Sequence, residues 1–155
     1  MQENCIPLEY LNTYLKTEQY CAVQERCAFD VKRKLAQQKI PSEITEQIIR
    51  KLHEKNFINN DRYCEAFTND HFRLKKWGVL KIKSALNAKF LPSQSIKNAL
   101  GKIDKQTYLA NLNYLITRKE RELSFEKDPL KKKAKLTRYL ASNGYELELI
   151  FDLIN

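Results

Sequence analysis

The chain has 155 residues, 43% of them apolar, and 28 Lys and Arg stand against 19 Asp and Glu, a net charge of +9. Only three glycines and four prolines are present, which disfavours turn-rich sheet folds and excludes a glycine-rich phosphate loop. No stretch is apolar enough to span a membrane, and the charge excess attracts polyanions or acidic protein surfaces.

In chain order, Leu8, Leu11, Tyr14 and Leu15 are spaced for one helical face, with Pro7 suited to the first turn and Tyr20 and Cys21 extending the pattern. A second helix over about 24–38 places Cys27, Val31 and Leu35 on one side, with Lys32, Arg33 and Lys34 near its end. Ile40-Pro41-Ser42 breaks it. A third helix over about 42–55 carries Ile44, Ile48, Ile49 and Leu52.

Asn59-Asn60-Asp61 is a turn and a set of N-cap candidates. The helix that follows carries Tyr63, Ala66, Phe67 and Phe72, and Trp77-Gly78 ends it. A basic helix over about 79–89 turns Ile82 and Leu86 inward and Lys81, Lys83 and Lys89 outward. Leu91-Pro92-Ser93 repeats the earlier breaker. A closing helix holds Ile96, Ala99, Leu100 and Ile103, with Gly101 a candidate terminator.

The last third opens near Asp104. Tyr108, Leu112, Leu115 and Ile116 form one face, and Arg118, Lys119 and Arg121 close that helix. Asp128-Pro129 is a start signal, an N-cap acid followed by proline at the first helical position. Lys131, Lys132, Lys133, Lys135 and Arg138 surround Leu136 and Leu140, and Asn143-Gly144 is a C-cap signal. Tyr145, Leu149, Ile150 and Leu153 belong to a final helix.

These elements form a repeat. Aligned on Leu35, Leu86 and Leu140, the copies stand 51 and 54 residues apart. Val31, Ile82 and Leu136 lie four residues upstream; Ile40, Leu91 and Tyr145 lie five downstream. Ile44, Ser95 and Leu149 follow, then Ile48, Ala99 and Leu153, then Ile49, Leu100 and Ile154, with Ile96 able to fill the space left by Ser95. A period of this length with four-residue apolar steps predicts a small helical unit used in series. The expected fold is all-α: three tandem three-helix units, 1–58, 59–103 and 104–155, in an elongated, curved array.

Catalytic chemistry has little support. His53 and His71 fall in different helices, and no ligand-spaced metal set is evident. Acids such as Glu46 pair along helix faces with partners such as Arg50. Residues 1–7 lack a basic segment followed by an apolar run, so the expectation is a cytoplasmic protein with reduced cysteines, of which Cys21, Cys27 and Cys64 act as small apolar fillers. No cofactor is expected.

The positive charge sits on and just before the second helix of each unit, where Lys and Arg can follow a phosphate backbone without reading sequence. The candidate contacts are Lys32 and Arg33; Arg73, Lys75, Lys76, Trp77, Lys81, Lys83 and Lys89; and Lys131, Lys132, Lys135 and Arg138. Trp77 could stack on an exposed base, although a Trp beside Gly at a helix break better suits a packing anchor. A helix-turn-helix module reading one duplex site, such as a transcriptional regulator, is the alternative. Charge spread over three units fits an extended polyanion better than a short operator.

The sequence resembles the RecX family, regulators of the RecA recombinase. The resemblance is carried by 61–67 (Asp-Arg-Tyr-Cys-Glu-Ala-Phe), 73–78 (Arg-Leu-Lys-Lys-Trp-Gly), 81–86 (Lys-Ile-Lys-Ser-Ala-Leu) and 96–100. Tyr20-Cys21, 24–27, 31–35 and 135–140 add to it, so it covers nearly the whole chain from about residue 17. It implies a non-catalytic protein, expected to be monomeric, that lodges in the groove of RecA–single-stranded DNA filaments. There it would interfere with ATP hydrolysis and strand exchange. Duplex DNA is a further possible polyanion, and no membrane is involved. The family's basic run before the second helix of the middle unit falls on Arg73, Lys75, Lys76, Lys81 and Lys83.

Overall fold

The computed structural model describes residues 5–155; expectations that fall on residues 1–4 lie outside the described residues. A 3-10 turn at Leu8–Tyr10 leads into α1 (Leu11–Val23), α2 (Ala28–Gln37) and α3 (Ser42–Glu54). Then come α4 (Asn60–Arg73), α5 (Val79–Ala88) and α6 (Ser93–Gly101), followed by α7 (Lys105–Glu122), α8 (Pro129–Ser142) and α9 (Leu147–Ile154). The described residues form helices and turns only.

Helix starts follow local capping chemistry. The Asn59, Asp104 and Asp128 side chains accept hydrogen bonds from the N–H groups of Arg62, Thr107 and Leu130, at the open ends of α4, α7 and α8. Pro41 and Pro92 occupy the N-cap positions of α3 and α6. Helix α2 starts later than its apolar spacing predicts, because Gln24 is extended and Cys27 is the N-cap. The Cys27 N–H and thiol both donate to the Asp30 carboxylate (3.2 and 3.4 Å), a capping box built on a cysteine.

The repeat is clearest where the second helix of each unit stops. Lys39, Phe90 and Gly144 each lie four residues after Leu35, Leu86 and Leu140, and each has positive φ (59°, 60° and 95°). Their N–H groups bond to Ala36, Asn87 and Ala141, and the next N–H, of Ile40, Leu91 and Tyr145, reaches back to Leu35, Leu86 and Leu140. This is the Schellman arrangement three times over, and it explains why an apolar residue recurs five positions after each of those fully buried leucines. Only the third copy uses glycine. Gly101, a terminator by its sequence context, is instead the last helical residue of α6, with αR backbone at Lys102 beyond it.

Two further expectations change. On α1 the buried face is Tyr14, Thr17 and Cys21, while Leu8, Leu11 and Leu15 are exposed. Packing against α2 and α3 selects the aromatic and small residues, leaving the leucines on the other side of the helix. In the third copy the buried position is Ile150, equivalent to Thr45 and Ile96, whereas Leu153 is 38% exposed near the end of α9.

Two cores result. Tyr14, Val31, Leu35, Ile48, Leu52 and Ile58 form one within the first unit. The second and third units supply nearly all of the other, which runs from Cys64 and Phe72 through Ile82 and Leu86 to Leu112, Leu140 and Tyr145, and Cys27 of the first unit joins it. The accessible surface of 10,244 Å² exceeds the roughly 8,200 Å² expected of a compact chain of this mass, as an extended array requires.

A backbone seam joins the second and third units. Gly78 N–H donates to Asn143 O (2.7 Å) and Leu80 N–H to Gly144 O (3.0 Å), so unpaired donors at the start of α5 meet carbonyls just past α8. Val79 N–H donates to Tyr108 Oη (3.1 Å), whose own proton goes to the Glu146 carboxylate. Tyr145 Oη donates to Lys76 O (2.6 Å), and Asn111 Nδ2 to Phe72 O (3.0 Å). The first unit is attached differently, through side chains. Arg62 pairs with Glu25 (2.6 Å), Phe29 meets Phe90 (6.3 Å between centroids), and Lys89 bridges Asp30 and Tyr63.

Candidate nucleic-acid interface

Helix α4 presents Tyr63, Phe67 and His71 at four-residue steps, so their rings line one face. Phe67 stacks on His71 (3.8 Å), and Trp77, held by its N–H to His71 O (3.1 Å), closes against His71 at 4.4 Å. His71 Nδ1 lies 2.8 Å from Phe67 O; a carbonyl only accepts, so Nδ1 carries the proton. Lys81 Nζ sits 4.3 Å from the Trp77 ring centre and Lys75 Nζ 5.4 Å. Trp77 is therefore half-buried, packed on the shared core, with cations over its ring.

Beside this ladder a cleft of about 440 Å³ separates the first two units. Arg26, Arg33, Lys89 and His71 line it, together with Glu25, Asp30 and Asp70. Arg33 thus lines the cleft with Phe67 and His71, and Lys75 and Lys81 adjoin the other end of the ladder at Trp77. The third unit packs directly against Lys81: a Cβ placed on buried Gly144 would stand 2.4 Å from Lys81 Cβ.

The other candidates are distributed. Lys32 pairs with Glu46 at 3.3 Å. Arg73 is exposed with no ion pair among the described residues. Lys76 holds positive φ (54°), with its ammonium 5.1 Å from the Tyr114 ring. Lys83 is two residues from Lys81, about 200° around the helix, and lines a different groove with Lys97. Lys131, Lys132 and Arg138 lie on α8 without ion pairs among the described residues, whereas Lys135 is bound to Glu126 at 2.7 Å.

Lys89 does not point outward as its helical position predicts. It follows the end of α5, and its ammonium donates to Asp30 (3.0 Å) and Tyr63 (2.7 Å) between units. Burial opposes ionisation of Asp30, yet the Lys89 and Cys27 hydrogen bonds outweigh it and hold the carboxyl below its usual range. Burial also disfavours the Lys89 ammonium, but its bonds to Tyr63 and Asp30 raise its pKa on balance. Burial pushes the Tyr63 phenol up to about 12.

Sequence reasoning missed Arg26, 4.1 Å over Tyr20, and the cluster of Arg118 and Lys119 around Tyr139. The second joins α7 to α8, so no spacing along one helix reveals it. Among the described residues no cluster of His, Cys, Asp and Glu could hold a metal, and no helix is long and apolar enough to cross a membrane.

Fold and surface define a basic protein of tandem three-helix units. Comparison with known families is specific: the profile for the RecX second three-helix domain matches residues 59–100, and that for the RecX third three-helix domain matches 106–154. The chain belongs to the RecX family, whose members are regulatory proteins rather than enzymes. It is 27% identical to a regulatory protein RecX of Clostridioides difficile (strain 630), over 98% of this chain and 76% of that one. It is 34% identical to one from Clostridium botulinum (strain Alaska E43 / Type E3), over 66% and 48%. Relatives from Bacillus cereus are spanned to 52% of their length. A crystal structure of regulatory protein RecX superposes with a TM-score of 0.83 at 20% identity, covering 92% of this chain and 70% of that one. RecX from Lactobacillus salivarius gives 0.76 at 22%, covering 91% of each. At these identities the two structures speak for the fold.

Proposed function

We propose that this protein regulates a RecA recombinase in the cytoplasm, binding as a monomer along the groove of RecA–single-stranded DNA filaments and slowing ATP hydrolysis and strand exchange. The observation that carries the reading is the cation-and-ring surface formed by Arg33, His71, Lys75, Trp77 and Lys81. Its cations suit a phosphate backbone and its breadth suits a repeating polyanion. The divisions 1–58, 59–103 and 104–155 would serve as successive footholds. The second and third would engage as one block, because they share a core.

The test is RecA-dependent ATPase on single-stranded DNA with added protein. No inhibition at stoichiometric amounts and low salt rejects the proposal. Arg73→Ala, Lys75→Ala and Lys81→Ala together should weaken inhibition and lower the salt dependence of binding, each lost phosphate contact reducing the slope by about 0.7 on single strands. Lys76 is left intact in that variant because its backbone conformation and carbonyl belong to the seam. Unchanged potency would remove these residues from the site.

A further inference from the structure

A groove between α8 and α9 faces away from the shared core. Ala134, Thr137 and Ala141 form its floor and Leu130, Leu147 and Phe151 its walls; Arg138 and Lys133, the latter held by Asn155 Oδ1, complete the lining of about 450 Å³. Leu130 is 79% exposed and Leu147 52%, so the walls have no cover within this chain. Apolar surface of this kind gains nothing from a phosphate backbone and is suited to a protein partner.

The rims carry opposite charges. At about 100° per residue, the buried Leu136 and Leu140 lie on one side of the groove stripe of α8, and Lys131 and Arg138 on the other. On α9, Ile150 is buried on one side of Leu147 and Phe151, while Glu148 and Asp152 lie on the other. All four rim charges are exposed and make no ion pair among the described residues. An apolar trough with a basic outer edge along α8 and an acidic outer edge along α9 specifies its occupant closely.

We propose that this groove docks an amphipathic helix on the surface of the recombinase protein in the filament. That helix lays an apolar stripe against Leu130, Leu147 and Phe151, an acidic flank against Lys131 and Arg138, and a basic flank against Glu148 and Asp152. The inference rests on the filament reading above and assigns the groove to protein contact, leaving DNA to the surface around Trp77.

The test measures binding of the full chain to naked single-stranded DNA and to the same strand coated with RecA. Leu130→Glu, and separately Phe151→Ala, should weaken binding to coated strands at least tenfold while binding to naked strands stays within twofold. Both substituted side chains are substantially exposed, and a wild-type-like thermal melt verifies the fold. Asp152→Lys should weaken coated-strand binding with the same selectivity. Equal losses on both substrates, or no loss on coated strands, overturn the inference while leaving filament regulation standing. A wild-type dimer in sedimentation that Leu130→Glu dissociates assigns the groove to a second copy and also overturns it. If the wild-type protein shows no preference for coated strands and no effect on the ATPase, the filament reading itself fails, and this inference with it.

Discussion

Gly78→Ala offers the sharpest test of the packing described here. A Cβ on Gly78 would stand 2.3 Å from Gly144 C, 2.4 Å from Gly144 O and 2.5 Å from Tyr145 N, all backbone atoms that no rotamer change can move aside. The seam must open, which breaks Gly78 N–H to Asn143 O and Leu80 N–H to Gly144 O. Two such bonds contribute about 1 kcal/mol each and overpacking costs about 1–3 kcal/mol, so the expected loss is about 3–5 kcal/mol. For a chain of this size that lowers the melting temperature by roughly 10–15 °C. Gly144→Ala should cost at least as much, since its φ of 95° adds backbone strain to a Lys81 N contact at 2.5 Å. The double variant should lose less than the sum of the two, because both substitutions open one seam. Gly101→Ala is the internal control: nothing lies within 4 Å of its Cβ and it is helical, so stability should hold or rise by about 0.5–1 kcal/mol. Urea melts give all four values. A Gly78→Ala protein within about 0.5 kcal/mol of wild type, well inside the ordinary range for a surface substitution, would refute the seam.

Lys89→Met leaves Asp30 buried without its cation and should cost about 2–4 kcal/mol at neutral pH, read by urea unfolding. The folded-state pKa of Asp30 is depressed, so its stabilisation is present above the ordinary carboxylate pKa and fades as pH falls through the lower folded value. That of Lys89 is raised, so its contribution is full below the ordinary lysine pKa and is lost as pH climbs through the higher folded value. The gap between wild type and Lys89→Met should therefore be widest between those limits and narrow at acid pH; a gap independent of pH would contradict the bridge. With a thiol-specific disulfide reagent, exposed Cys5 should react at once, and buried Cys21, Cys27 and Cys64 only on unfolding, burial having pushed the Cys21 and Cys64 thiols up to about 11. Prompt reaction of more than one thiol would mean that these sites open readily. Asp128→Ala removes the cap on Leu130 N–H and should destabilise by about 1 kcal/mol in the same urea melts, a loss that Asp128→Ser should largely restore.

Much of the architecture was legible in the residues because it is local. Breakers at Pro41 and Pro92, caps at Asn59 and Asp128, and leucines at 35, 86 and 140 act within a few positions of themselves. Their chemistry is the same wherever the chain folds. Burial is not local. The periodicity of α1 allowed Leu8, Leu11, Tyr14 and Leu15 as one face with Cys21 extending it, and only packing against α2 and α3 kept Tyr14 and Cys21 inside, added Thr17 and left the leucines out. Lys89 looked like one more outward cation until Asp30, 59 residues away in sequence, arrived beside it. Lys81 and Lys83 seemed equivalent in a basic run but belong to different sides of α5.

By itself the sequence determined that the chain is helical, repeated three times and strongly basic, because helix periodicity, end caps and net charge are sums over neighbouring residues. The tertiary structure alone decided which units share a core, which cations are occupied by buried partners, and that Gly78 and Gly144 touch. Those facts depend on distances between residues far apart in the chain, and no property of either neighbourhood encodes them.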